Sequence, residues 1–252
     1  MLRAVLFDLD DTLFDHRGCA REALAAVQSC DAALTAIPLS RLEALHSSLL
    51  EQLHADVMLG RVPLEHARRE RFRRLLRDTG GDAPEPLVAL AAAAYRDRYR
   101  DVRRAVRGAR ELLAGLRGRV KVGIVSNNLF DEQLQKLDVC GLQRYVDTLV
   151  VSERVGASKP DPAIFIAALE QLRCEPEDAV MVGDSFAADV AGARGARIRP
   201  VWFNPLGLPL PEGEASVAQL TSLGPVQAAL AVILDGLAVD DGVEMNGGDA
   251  EV

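Results

Sequence analysis

Apolar and polar positions alternate in two textures along the chain. Residues 3–7 (RAVLF), 120–125 (VKVGIV), 146–151 (VDTLVV), 179–182 (AVMV) and 198–203 (IRPVWF) are short runs rich in β-branched or aromatic residues. Their length and near-continuous hydrophobicity predict buried strands. Helix-length amphipathic segments lie between the later runs: RGARELLAGLRG, DEQLQKLDVCGL, DPAIFIAALEQL and SFAADVAGARGA. Strands alternating with helices predict an α/β chain, a parallel sheet with helices on both faces.

Residues 16 to about 106 break that alternation. Leu42, Leu45, Leu49 and Leu53 recur at helical spacing, and Leu87, Ala91, Tyr95, Val102 and Val106 form a second such series. Pro63 and Pro84–Pro86 sit where helices can begin. About ninety helical residues between two strands exceed an ordinary crossover, so the block reads as an inserted all-helical domain. The expected organisation is a core of residues 1–14 and 107–236, an insert of residues 15–106, and a loose acidic, Gly-rich tail at residues 237–252.

Charge and composition narrow the function classes. A net charge of −8 and a pI near 5.1 argue against a general binder of nucleic acid or acidic membranes. No apolar stretch approaches the length of a membrane span, and MLRAVLFDLDD ends its short apolar run in carboxylates, unlike a signal peptide. Cys19, Cys30, Cys140 and Cys174 lie far apart without metal-ligand spacing, which suits reduced thiols in a cytoplasmic protein. RDRYRDVRRAVRGAR, residues 96–110, reads as a solvated helix face near the junction with the insert, although one of its arginines can meet a phosphorylated substrate.

The candidate chemistry collects at strand ends. Asp8 follows the first predicted strand, Ser126 the second, and Gly183–Asp184 the fourth. In an open parallel sheet the carboxyl ends share one edge, where ligands bind. Lys159 precedes a helix predicted to begin at Asp161–Pro162, and Asp189 falls about one turn into the helix after Asp184.

These pieces resemble the haloacid dehalogenase superfamily of aspartate-nucleophile hydrolases. The four motifs stand in order: Asp8-Leu9-Asp10-Asp11-Thr12, then Ser126 in IVSNN, Lys159 in SKPDP, and Asp184 with Asp189 in VGDSFAAD. The resemblance covers residues 1–14 and 107 to about 235. It implies a Rossmann-like parallel-sheet core, and many members carry a helical cap where the insert falls.

The resemblance also implies roles. Asp8 would be the nucleophile that forms an aspartyl-phosphate, and Asp10 the general acid and base. Mg²⁺ would lie between the Asp8 carboxylate, the Asp10 main-chain carbonyl and Asp184. Lys159 would offset charge on Asp8 and the phosphate, which Ser126 and the backbone around Asn127 would hold. Asp189 would orient Lys159 or a metal-bound water. The expected substrate is a small phosphorylated metabolite. WFNP, residues 202–205, resembles a stretch in capped nucleotide and acyl-sugar phosphatases and tilts the expectation toward nucleoside monophosphates or sugar phosphates. A phosphomutase would use the same two aspartates. A 2-haloacid dehalogenase would lack the second acid and the metal, and an idle binding protein would have no use for the intact motif set.

Asp11 and Asp15 read as solvated loop acids. His16, His46, His54 and His66 form no metal-ligand cluster and read as structural or surface residues, with His16 near enough to the first motif to reach substrate. Where a Pro-Gly often marks the return from the cap, this chain has Arg107–Gly108.

Overall fold

The computed structural model describes residues 1–236; the predicted tail, residues 237–252, lies outside the described residues. Six strands form one sheet in the order β3-β2-β1-β4-β5-β6: β1 Ala4–Phe7, β2 Lys121–Ser126, β3 Thr148–Val151, β4 Ala179–Gly183, β5 Arg199–Phe203 and β6 Ala218–Leu220. All neighbouring pairs are parallel. The five runs read as strands fall on β1 to β5. The short β6 had no such signal: AQL is three residues long with none β-branched or aromatic, and its backbone becomes a strand by pairing with Val201–Phe203.

Helices cover both faces because strand residues alternate in direction. Val5, Phe7, Val122, Ile124, Val180 and Val182 pack in one cluster with Leu112, Leu113 and Leu116. Ala4, Leu6 and Met181 pack in another with Ile164, Phe165, Ala168 and Leu169. The order of strands puts β1 at the centre, flanked by β2 and β4, with Phe7 opposite both Ile124 and Val182. The chain therefore leaves β1, β2 and β4 at one level, and the residues just beyond them meet.

The insert between β1 and β2 is helical. It contains α1 (His16–Gln28), α2 (Ala32–Thr35), α3 (Leu39–Met58), α4 (Leu64–Asp78) and α5 (Glu85–Asp101). Pro38, Pro63 and Pro84 each stand at the residue before a helix, where a missing N–H costs nothing. Leu24, Leu42, Leu49, Phe72, Leu75, Val88 and Tyr95 form a separate apolar cluster inside the insert. The helical series does not reach Val106, as its spacing predicts: α5 ends at Asp101. Beyond it the chain runs back beside the outgoing segment, with Phe14 bridging Ala105 antiparallel and the Val106 N–H donating to the Leu13 carbonyl at 2.8 Å. Pairing with residues 13–15 satisfies the backbone there, and this overrides the helical pattern.

Gly108 then adopts φ +89° at the start of α6 (Ala109–Leu116). A Cβ there would lie 3.0 Å from the Leu223 backbone, so the return needs glycine for both reasons. The core continues through α7 (Phe130–Val139), α8 (Ser152–Val155), α9 (Pro162–Leu172), α10 (Ala191–Gly195) and α11 (Val226–Leu230).

Candidate active site

The carboxyl ends of β1, β2 and β4 form one mouth. Asp8 follows β1 directly, and its backbone N–H donates to the Val182 carbonyl at 2.9 Å, which continues the sheet by one residue. Ser126 is the last residue of β2 and Gly183 the last of β4.

Lys159 reaches this mouth from the loop before α9. Its Nζ lies 2.6 Å from Asp8 Oδ1 and 2.7 Å from Asp189 Oδ1, and it donates to the Val125 carbonyl at 2.8 Å. Burial works against the ammonium's charge, but Asp189 and then Asp8 outweigh it and hold its pKa well above the ordinary value. Asn127 fixes the lysine backbone from both sides: its Oδ1 accepts from the Lys159 N–H at 2.7 Å and its Nδ2 donates to the Lys159 carbonyl at 2.9 Å. The sequence reading expected Asn127 at a phosphate; in the structure its side chain braces Lys159.

Residues 9–14 make a tight turn in which Leu13 and Phe14 both donate to the Leu9 carbonyl. Asp10 projects from it and is caught by α7. Lys136 Nζ donates to both Asp10 oxygens, at 2.6 and 2.8 Å, Gln133 Nε2 donates at 3.0 Å, and Asn128 Nδ2 at 3.2 Å. Burial raises the Asp10 pKa, but Lys136 and then His16 more than offset that, so the carboxyl is held well below the usual carboxylate range. Gln133 also donates to Ser126 Oγ at 2.5 Å, tying the second motif to the first. Lys136 and Gln133 were not singled out in the sequence. The available signal was their spacing, one helical turn apart on the helix after Ser126.

Asp11 and Asp15 are not solvated loop acids. Asp11 sits at φ +63°, accepts from the Arg17 N–H at 2.7 Å and pairs with the Arg17 guanidinium at 3.2 Å. Asp15 caps α1 by accepting from Gly18 N–H at 2.9 Å, and it pairs with Arg104 at 2.8 Å. The loop turns back on itself, so carboxylates that look free in the sequence meet donors from the first turn of α1 and the return segment.

Asp184 and Asp189 come from the segment after β4. The Arg17 guanidinium reaches Asp184 at 2.9 Å, the Asp184 N–H donates to Thr12 Oγ at 3.1 Å, and the Trp202 indole donates to the Asp184 carbonyl at 2.9 Å. Trp202 of the WFNP stretch is thus a brace for the fourth motif. Asp189 lies in a π-helical turn, Phe186–Val190, the kind of irregular turn that often marks functional sites. The Ser185 N–H donates to Asp189 Oδ2 at 3.0 Å, while Ser185 Oγ accepts from Ala188. A Cβ on Gly183 would stand 2.3 Å from the Asp189 carboxyl carbon, so only glycine allows this approach.

Asp8, Asp184 and Asp189 each offer an oxygen within 4.8 Å of the others. Burial raises the Asp8 carboxyl above the ordinary range by more than Lys159 lowers it, and Asp189 and Asp184 add to the rise. Burial, then Asp189 and Asp11, push Asp184 up to about 7. Among the described residues, Asp8, Asp11, Asp184 and Asp189 pair only with Lys159 and Arg17, an excess of negative charge. Hard carboxylate oxygens with surplus negative charge fit a divalent cation such as Mg²⁺.

A cavity of about 630 Å³ lies between the insert and this mouth, with Asp10, Asn127 and Lys136 in its wall on the core side. Two histidines of the insert also line it. His16 Nδ1 shares a hydrogen bond with the Tyr99 hydroxyl at 2.7 Å, and His54 Nε2 contacts the Asn127 carbonyl at 3.0 Å. His46 is buried among Phe72 and Tyr95, and His66 is exposed. In the arginine-rich segment, Arg98 and Arg104 pair with Glu22, whereas Arg100 and Arg103 line the cavity. The four cysteines are free thiols, and no helix among the described residues is long and apolar enough to cross a membrane.

Comparison with known proteins agrees with this geometry. The family model described as haloacid dehalogenase-like hydrolase matches residues 2–197. The chain is 35% identical over 204 residues to the glyceraldehyde 3-phosphate phosphatase of Methanopyrus kandleri, covering 78% of this chain and 81% of that one. It is 30% identical over 230 residues to the pyrimidine 5′-nucleotidase YjjG of Escherichia coli, covering 90% and 96%. Among solved structures, the HAD-hydrolase YfnB of Bacillus subtilis, bound to magnesium, superposes with a TM-score of 0.70 at 26% identity, covering 91% of this chain and 98% of that one.

Proposed function

The chain belongs to the haloacid dehalogenase-like hydrolases, and within that family we propose that it is a magnesium-dependent phosphatase acting on a small phosphorylated metabolite, a nucleoside monophosphate or a sugar phosphate, through an aspartyl-phosphate. The observation that carries this reading is the pair of carboxylates two residues apart, each with its own lysine: Asp8 with Lys159 and Asp10 with Lys136.

In this reading Asp8 attacks phosphorus in line with the leaving oxygen. Lys159 sits on Asp8 and offsets the charge of the incoming phosphate, and Asp189 orients Lys159. Ser126 and the backbone at Asn127 hold the phosphoryl oxygens. Asp10 gives a proton to the leaving oxygen and then takes one from water at the second step. Lys136 keeps Asp10 ionised, ready for the second task; a phosphate dianion beside it raises its pKa and suits it to the first. Mg²⁺ held by the Asp8 carboxylate, the Asp10 main-chain carbonyl and Asp184 would supply charge neutralisation on the phosphoryl oxygens.

Residues 1–14 and 107–236 then form the catalytic core, and residues 15–106 form the lid that shields the site from bulk water and contacts the leaving group. The second carboxylate supports a phosphatase over a haloacid dehalogenase, which needs only one. The test is a panel of phosphorylated metabolites and one phosphopeptide, assayed for phosphate release by the purified protein with Mg²⁺. Release from small monoesters supports the reading. Conversion of a substrate to its phosphate isomer without release would make it a phosphomutase, and no reaction with any monoester would leave a binding protein.

A further inference from the structure

The wall that the insert gives the cavity holds a cation with nothing to pair it among the described residues. Arg71, on α4, lines the cavity, and its guanidinium carbon lies 5.3 and 5.2 Å from the ring centroids of Phe72 and Tyr95, which themselves pack together at 5.3 Å. Its Nε is buried and has no hydrogen-bond partner, and Arg71 forms no ion pair among the described residues. Its neighbours on α4 that line the cavity differ: Arg68 is held by Glu65 and Glu132, and Arg69 by Glu85. Arg103 also has a buried, unpartnered Nε, and it faces the same cavity.

A buried guanidinium without an acceptor is costly unless something supplies one. Nothing in the core chemistry uses Arg71, since Asp10 is already satisfied by Lys136, Gln133 and Asn128. The unpartnered N–H edge of the Arg71 guanidinium matches the planar, two-oxygen geometry of a carboxylate or the face of a phosphate.

Resting on the phosphatase reading above, we propose that the substrate is a phosphate ester whose leaving group carries a second anionic group, bound at the insert's wall of the cavity by Arg71, with Arg103 of the same cavity as a second donor. This narrows the substrate class to doubly anionic small molecules, sugar bisphosphates or phosphorylated acids, and away from nucleoside monophosphates, which have no second anion.

The test uses two matched pairs of probes: 3-phosphoglycerate against glycerol 3-phosphate for a carboxylate, and fructose 1,6-bisphosphate against fructose 6-phosphate for a phosphate. Binding is measured by calorimetry on the Asp8→Asn protein with Mg²⁺, so the result does not depend on turnover. The expected result is about tenfold or greater preference for the second-anion member of at least one pair, the pair that shows it naming the anion. Arg71→Met should collapse that preference and Arg71→Lys should restore part of it. Circular dichroism checks that both variants fold, and Arg103→Met gives a second reading should Arg71→Met fail to fold. Equal binding within both pairs, or a preference that neither Arg71→Met nor Arg103→Met reduces, would overturn the proposal. Hydrolysis of p-nitrophenyl phosphate by the wild type is measured separately. Its absence would count against the phosphatase reading, whereas equal binding in the presence of hydrolysis would count against the second-anion site alone.

Discussion

Lys136 donates to both oxygens of Asp10, at 2.6 and 2.8 Å, from a helix that also ties Asp10 to Ser126 through Gln133. The buried ammonium sits 5.2 Å from the centre of the Phe14 ring, so its stem is packed as well as its charge paired. Lys136→Met preserves the stem and deletes the charge. Turnover should fall by about 10- to 100-fold, as for loss of a charge-assisted contact of roughly 1.5–3 kcal/mol. Lys136→Arg should keep more of it. Steady-state kinetics on the best substrate of the panel gives the answer, and unchanged kcat in Lys136→Met would show that Asp10 needs no such partner.

Asp8→Asn should abolish phosphate release, because an amide does not attack phosphorus. Asp10→Asn should cost about 10²- to 10⁴-fold, the usual range for a general acid or base. Near wild-type release by Asp8→Asn would assign the nucleophile elsewhere.

Chelation by EDTA should silence the enzyme, and added Mg²⁺ should restore it. Ca²⁺ should serve poorly, since its larger and looser shell does not hold an in-line geometry. Mg²⁺ should also raise the Tm of the wild type, and this shift should shrink in Asp184→Ala. Full activity with chelator in metal-free protein would refute the metal requirement.

His46 predicts a pH effect on the insert itself. Burial, and then Arg71 and His16, hold its imidazole well below the ordinary value, so the folded chain carries it neutral. The unfolded chain binds a proton there below about pH 6.5. Stability is therefore unaffected by His46 above that pH. It falls as pH drops through about 6.5 toward the folded pKa, by up to about 1.4 kcal/mol per pH unit. His46→Phe, which keeps a ring against Phe72 and Tyr95, should show a shallower fall in Tm between pH 7.5 and 5.5. Equal slopes in the two proteins would place the proton uptake at another group.

The strands and the residues at their ends were legible because the signal is local. Runs such as VKVGIV are buried on both faces and need no partner to be recognised, and the residues after parallel strands must lie at one edge. Contacts made across the fold were not legible. Lys136 and Gln133 look like surface residues of an amphipathic helix until Asp10 is known to lie against that face. Arg17 looks free until Asp11 and Asp184 come together on it. The three residues of β6 carry no strand pattern, and only the edge of β5 makes them one. Val106 erred the other way: its spacing is helical, but the backbone found a better partner in Leu13.

That last pairing bears on how the molecule is assembled. Asp15 N–H donates to the Arg104 carbonyl, Phe14 bridges Ala105, and Val106 N–H donates to the Leu13 carbonyl, so the insert leaves and rejoins the core at one point. Ala4 of β1 must find Lys121 of β2 across the whole insert, a long-range contact of the kind that slows folding. With the helices of the insert already folded on local contacts and its two ends clasped, most of that intervening chain no longer counts as loop. The search for β2 is then reduced to residues 8–12 on one side of the clasp and 107–120, with α6, on the other, and the entropy of closing the central strand pair shrinks with it.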